Sequence, residues 1–341
     1  MRIMFLAVWL SLYPAAAAGA ELQLITVQRI WDGAPHSAFG DLIRFHNRWF
    51  AIFREGESHV THPGAQADGI LQVIASVDGK TWKAAARIEE PGIDLRDPHL
   101  SITADGRLMA VAGGSEYPMG IYRGRQPRVM FSHDGFTWTA PQKVLERGHW
   151  LWRVTWEKGT AWGVSKYGSP GKELPDNPRR VNLVRSRDGL RWETVCELKV
   201  PGGDETTIRF LADGRMVALM RRRLQTGDPG PVIGVAGPPY LNWKWSEVKD
   251  FMGGPNFIVL PDGRMIAGGR WYEHGSPDSA KTAVGPMTLT GYQPQLVLPS
   301  GGDTGYPGFA FHNNRLWTLY YSSHERRTAI YLAEIQVGRR K

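Results

Sequence analysis

The sequence predicts an all-β chain folded as a six-bladed β-propeller, each blade a four-stranded antiparallel sheet. Two repeats predict it. One phrase recurs as Ser76-Val77-Asp78-Gly79-Lys80-Thr81-Trp82, Ser132-His133-Asp134-Gly135-Phe136-Thr137-Trp138 and Ser186-Arg187-Asp188-Gly189-Leu190-Arg191-Trp192, its tryptophans 56 and 54 residues apart. A second phrase, a strand, a tight turn and another strand, recurs six times, its copies beginning near 41, 98, 153, 206, 255 and 306. Periods of this length belong to repeat architectures whose unit is one supersecondary element. Composition agrees: 40 Gly, 23 Pro and 14 Trp in 341 residues supply turns and aromatics, and no run holds a helical period.

From the N-terminus, Arg2, the apolar run from Ile3 to Tyr13 and Ala18-Gly19-Ala20 read as a secretory leader cleaved after Ala20. The run is short for a membrane span. A secreted or periplasmic bacterial protein, not inserted in the membrane after cleavage, is therefore expected. Leu22 to Val27 is strand-like. It is expected to serve as the outer strand of the sixth blade, beyond Tyr331 to Ile335, hiding a sheet edge. Turn dipeptides such as Asp105-Gly106, Asp213-Gly214 and Asp262-Gly263 supply the positive φ of two-residue hairpins. The Ser-x-Asp-Gly-x-x-Trp phrase then falls between third and fourth strands. Its aspartates read as turn-forming acceptors of backbone amides, and its tryptophans as packing beneath the hairpin. Trp245 continues the register 53 residues after Trp192. Cys196 is alone, makes no internal disulfide, and reads as a small core residue. No linker divides 21–341, so one domain and a monomer are expected.

The formal charge of +8 favours anionic partners. Nucleic acid is set aside, because no Lys/Arg tract or recognition helix is visible. His59-x-x-His62 lacks the further ligands of a metal site, and Tyr167 to Glu173 lacks the spacing of a phosphate loop, so neither metal nor cofactor is expected. Strand ends at one mouth of the propeller carry Arg54, Arg96, Asp97, Arg153, Glu205, Arg221, Arg270 and Tyr306. Several arginines, carboxylates and a tyrosine at one mouth point to an acidic sugar.

The repeated phrase resembles the Asp-box, or BNR, repeats of the sialidase superfamily, with each copy one residue shorter than the commonest form. Asp204-Glu205-Thr206-Thr207 through Arg221 resembles the segment in which a Glu assists the nucleophile and an Arg belongs to a carboxylate-binding triad. Gly305-Tyr306-Pro307-Gly308-Phe309 resembles the segment that carries the tyrosine nucleophile. The resemblance thus implies Tyr306 as nucleophile, Glu205 as its base and Arg221 as a substrate-carboxylate ligand. A neutral tyrosine avoids the repulsion that a carboxylate nucleophile would meet at an anomeric carbon bearing a carboxylate. The family's first triad arginine, in Arg-Ile-Pro, is missing near Ala38-Phe39-Gly40; Arg54, Arg96 or Arg153 is available from a neighbouring strand. Arg270 or Lys281 stands where the third would lie. For the general acid, the loop Glu55 to Asp68 offers Asp68, with His59 as the alternative.

The resemblance implies a retaining exo-glycosidase that hydrolyses terminal sialic acid or a related acidic sugar. Two alternatives stand beside it: a non-catalytic glycan-binding propeller, and a lyase on acidic polysaccharide using Tyr306 with His59 or His324.

Overall fold

The computed structural model describes residues 21–62, 64, 69–168, 180–224, 227 and 229–338. The expected leader and Asp68 lie outside these residues. Among them the chain forms six four-stranded antiparallel blades around one axis. The strands, in chain order, are β1 (Leu22–Trp31), β2 (His36–Phe45), β3 (Arg48–Gly56), β4 (Ile70–Ser76), β5 (Lys83–Ile88), β6 (Ile93–Ile102), β7 (Leu108–Glu116), β8 (Gly124–Ser132), β9 (Gln142–Lys143), β10 (His149–Glu157), β11 (Thr160–Tyr167) and β12 (Arg180–Ser186). They continue with β13 (Trp192–Glu197), β14 (Gly203–Phe210), β15 (Met216–Arg222), β16 (Val232–Ala236), β17 (Lys244–Glu247), β18 (Gly253–Val259), β19 (Met265–Tyr272), β20 (Ala280–Met287), β21 (Leu296–Leu298), β22 (Thr304–His312), β23 (Arg315–Glu325) and β24 (Arg327–Val337). Blades one to five are β2–β5, β6–β9, β10–β13, β14–β17 and β18–β21.

The sixth blade is β22, β23 and β24 with β1 as its outer strand. β1 pairs antiparallel with β24 from Leu22 opposite Val337 to Trp31 opposite Ile330. The first and last strands of the chain thus share one sheet, which closes the ring and covers the β24 edge.

Buried aliphatic and aromatic side chains fill the wedges between blades. Phe50, Ile52, Leu71 and Val73 of the first blade pack against Leu95, Leu108 and Ala110 of the second. Val217, Leu219 and Ile233 of the fourth pack against Phe257 and Ala267 of the fifth.

The repeated phrase sits at the β4–β5, β8–β9 and β12–β13 turns, and each copy shares one core set of hydrogen bonds. Asp78 Oδ1 accepts from the amides of Lys80 and Thr81 at 2.8 Å each, and Asp188 Oδ1 from Leu190 and Arg191 at the same distance. Trp82, Trp138 and Trp192 each donate Nε1–H to the carbonyl of the phrase's glycine. The fourth blade differs from expectation. Trp243 makes this three-residue reach-back, to the Tyr240 carbonyl at 3.0 Å, and Trp245 stacks on it with ring centroids 5.4 Å apart. The register therefore continues through Trp243, because the tryptophan just before the fourth strand is the one that can fold back over the turn.

The first strands begin two to five residues before the expected points. The reason is a shared irregularity. In all six blades the pairing of first to second strand slips near its start: after Ala38, Arg96, Leu151, Gly203, Gly253 and Gly305. Each slip is a β-bulge, and bulges re-aim side chains at sheet ends. The skipped pairs are Phe39-Gly40, Asp97-Pro98, Trp152-Arg153, Asp204-Glu205, Gly254-Pro255 and Tyr306-Pro307.

Candidate active site

The bulges build the site. Phe39, Asp97 and Tyr306 adopt φ values of 58°, 48° and 51°, a left-handed conformation that costs a non-glycine residue roughly 1–3 kcal/mol. The conformation breaks the in–out alternation of the strand and gathers these three side chains around one pocket.

At its floor, Tyr306 is 7% exposed. Its hydroxyl donates to Glu205 Oε1 at 3.2 Å and accepts from Arg221 Nη1 at 3.2 Å. Arg221 Nη1 also donates to Glu205 Oε2 at 3.0 Å, and the Gly254 amide donates to the same oxygen at 3.0 Å. Gly254 has φ of 58°, and a Cβ there would lie 2.2 Å from Tyr306 Cδ1, so glycine is what allows the ring its place. Burial pushes the Tyr306 phenol well above its usual range; the Glu205 carboxylate adds to this, and Arg221 and Arg270 oppose it. Burial also works against ionised Glu205, but the Arg221 charge prevails and holds its carboxyl below the usual value. At neutral pH the pair is a phenol bonded to a carboxylate, the order needed for Glu205 to take the tyrosine proton as the oxygen attacks.

The pocket above has a volume of ≈ 310 Å³. Arg96, Arg125, Lys166 and Arg223 bring positive charge to its wall. Phe39, Tyr117, Tyr122 and Trp150 supply aromatic faces. Lys166 is ion-paired with Asp204, and burial lowers its pKa despite that partner. Asp97 also lines the pocket, is 9% exposed, and accepts no hydrogen bond among the described residues. Burial, partly countered by Arg96, pushes its carboxyl up to about 6.

The arginines named from the sequence divide. Arg221 contacts both Tyr306 and Glu205, and Arg96 lines the pocket. Arg270 lies 5.5 Å from the Tyr306 ring centroid, but its donors go to Asp303 Oδ1 at 2.8 Å, the Tyr321 hydroxyl at 2.8 Å and the Thr304 carbonyl at 2.6 Å. Arg54 is fully buried and bidentate on Asp94, at 2.7 and 3.2 Å. Arg153 binds Asp41 at 2.7 Å and the Pro307 carbonyl at 3.1 Å, bracing the backbone just after Tyr306. Arg54, Arg153, Arg221 and Arg270 are not among the lining residues; Arg54 and Arg153 serve the frame, because Asp94 and Asp41 lie within their reach. Lys281 bonds the Ser300 carbonyl, and His324 the Ser322 hydroxyl. Phe39 occupies the bulge of the first blade, where the resemblance led to an arginine.

Residues passed over in the sequence reach the site from second and third strands and from loops: Lys166 at the end of β11, Arg125 on β8, and Asp303 just before β22. Asp303 gathers donors. His36 Nε2 and His59 Nδ1 approach its Oδ2 at 2.9 and 2.6 Å. Their three ligand atoms lie within 4.8 Å of one another, a spacing that a metal ion can also use. The chemistry favours a hydrogen-bonded network instead. Arg270 already matches the Asp303 charge, and His36 Nδ1 is buried without the acceptor that a metal-bound imidazole gives its second N–H.

No family model matches the chain, and no curated protein matches it. Solved structures do. A protein of unknown function from Dyadobacter fermentans is 18% identical, with TM-score 0.75 over 93% of this chain and 99% of its own. Trypanosoma rangeli sialidase in complex with the inhibitor DANA is 11% identical, with TM-score 0.68 over 88% of this chain; the match spans 55% of the sialidase, about half its length. An α-L-arabinanase of Penicillium chrysogenum complexed with arabinobiose is 14% identical, with TM-score 0.67 over 92% of this chain and 98% of its own. At these identities the likeness establishes the propeller fold.

Proposed function

We propose that the protein is an exported retaining glycoside hydrolase that removes a terminal acidic sugar, sialic acid foremost, from a glycan. One observation carries this reading: the hydroxyl of Tyr306, buried at the floor of a cation-lined pocket, is bonded to the carboxylate of Glu205 and to Arg221. Tyr306 Oη attacks the anomeric carbon while Glu205 receives its proton, and an aryl glycoside of Tyr306 forms as the leaving oxygen departs. Water then cleaves that link with the configuration retained. Arg221 is attracted to the phenolate that develops on Tyr306. The cations of the wall attract the sugar's carboxylate and raise its local concentration.

The test is a panel of 4-nitrophenyl glycosides of sialic and uronic acids, assayed with wild type and Tyr306→Phe. Wild type should turn over at least one, and Tyr306→Phe should lose roughly a thousandfold or more. Equal rates in the two proteins would remove Tyr306 from the chemistry.

A second reading, a glycan-binding propeller without turnover, is favoured by Phe39 in place of an arginine and by the engagement of Arg270 with Asp303. Saturable binding of a sialoside with no release of nitrophenol would support it. A product absorbing as an unsaturated uronide would instead reveal a lyase.

A further inference from the structure

We propose that His59, held by Asp303, is the general acid and base that protonates the leaving oxygen and later activates water. This rests on the glycosidase reading and names the acid within it.

His59 lines the pocket beside Tyr306 and Glu205. Its ring meets the Phe39 ring edge-on at 4.8 Å, and Phe39 in turn lies 5.7 Å from the Tyr306 ring, so one aromatic wedge spaces acid from nucleophile. Nδ1 faces Asp303 Oδ2 at 2.6 Å. A carboxylate there accepts a hydrogen bond from Nδ1–H and leaves Nε2 as the atom that exchanges protons, as in a Ser-His-Asp arrangement. Nε2 has no hydrogen-bond partner among the described residues, and the side chain lines the pocket and is 45% exposed.

The neighbouring backbone is pinned. Arg54 donates to the Ser58 carbonyl at 2.8 Å, Ser58 Oγ to that of Val60 at 2.5 Å, and Thr61 Oγ1 reaches Asp94 at 3.4 Å. Arg54 thus supports the pocket through this loop rather than by touching sugar. Of the two histidines on Asp303, His36 is 6% exposed and burial lowers its pKa, so it stays a neutral donor. His59 is the one open to substrate. An imidazolium also suits an anionic sugar. Delivering its proton leaves a neutral ring, whereas a carboxylic acid would leave another negative charge beside Glu205 and Asp97.

The steps balance. As Tyr306 Oη bonds to the anomeric carbon, its proton passes to Glu205. The glycosidic C–O bond breaks with its electron pair on the leaving oxygen, which takes the Nε2 proton and departs as an alcohol. Water next gives a proton to Nε2 and its oxygen to the anomeric carbon. The bond to Tyr306 breaks, and Tyr306 recovers its proton from Glu205.

The experiment compares wild type with His59→Ala on matched methyl and 4-nitrophenyl glycosides of the acidic sugar found in the panel above. A methyl glycoside needs an acid; a nitrophenolate leaves without one. His59→Ala should lose roughly 10²–10⁴-fold in kcat/KM on the methyl glycoside and less than about tenfold on the nitrophenyl one. Azide, which attacks without a base, should restore its slowed second step and yield the glycosyl azide. Asp303 keeps Arg270 and His36, so the variant should fold with an unchanged melting temperature. Equal losses on both glycosides, or no response to azide, overturn the role of His59 while leaving the hydrolase standing. No turnover by wild type on any sugar of the panel overturns both.

Discussion

Asp97 shows how a single residue here departs from what stability alone would select. It is buried, strained at φ 48° and without a hydrogen bond among the described residues, three costs in one side chain. Its carboxyl is pushed up to about 6, chiefly by burial. An unfolded aspartate titrates near 3.9, so the folded state binds the extra proton between the two values. Stability from this group is therefore full below about pH 4 and lost as pH rises through 6. Asp97→Asn removes the penalty. It should stabilise the protein by about 2–3 kcal/mol at pH 7.5 and by almost nothing at pH 4. Denaturant unfolding at both values checks this, and an equal effect at the two would sink it. Burial raises Tyr306 in the same way, whereas Glu205 is shifted in the other direction: Arg221 keeps it ionised beside a phenol that burial keeps protonated. Tyr306 and Glu205 were legible in the sequence because each lies in a contiguous stretch with a recognisable pattern. Lys166 and Arg125 were not, since each enters from a different blade and shares the pocket with the tyrosine only in space; Asp303 stands just before the Tyr306 strand, but its partners His36, His59 and Arg270 come from other strands and loops.

At the scale of the element, the unit of function is the bulge. Regular first strands would alternate side chains in and out, and no two neighbouring positions would face the mouth. The two-residue slip repeated in each blade breaks that alternation where it meets the pocket. Pro98, Pro255 and Pro307 were the available signal: a proline has no amide for the ladder, and inside a strand it marks a sheet edge or a bulge. Gly254 is the most constrained of these positions. Gly254→Ala places a Cβ against the Tyr306 ring in a left-handed conformation. It should cost on the order of 1–3 kcal/mol and reduce turnover together. Thermal unfolding and the nitrophenyl assay measure the two, and an alanine variant equal to wild type in both would mean that Tyr306 has room to spare.

The whole molecule depends on a closure made by the first strand. β24 is flanked by β23 on one side and by β1 on the other. Deleting 22–31 uncovers the edge of β24 over Ile330–Val337, a stretch that begins with the apolar run Ile330-Tyr331-Leu332-Ala333. The shortened chain should melt at a lower temperature and associate through that edge. Differential scanning calorimetry and size-exclusion chromatography provide the check, and an unchanged melting point with no association would show that the ring holds without β1.

The repeated turns and the strand–turn–strand spacing determined the blade number, the four strands of each blade and the contribution of the N-terminal strand to the last. Those features depend on interactions between residues close in sequence, or on a count of strands, both of which a linear pattern records. Which arginines face substrate was decided only by the tertiary structure. Of the arginines named from the sequence, Arg96 lines the pocket, whereas Arg54, Arg153 and Arg270 are engaged by Asp94, Asp41 and Asp303. Those partners lie 40, 112 and 33 residues away. A guanidinium binds whichever carboxylate the folded ring brings within reach, and spacing along the chain carries no record of that distance.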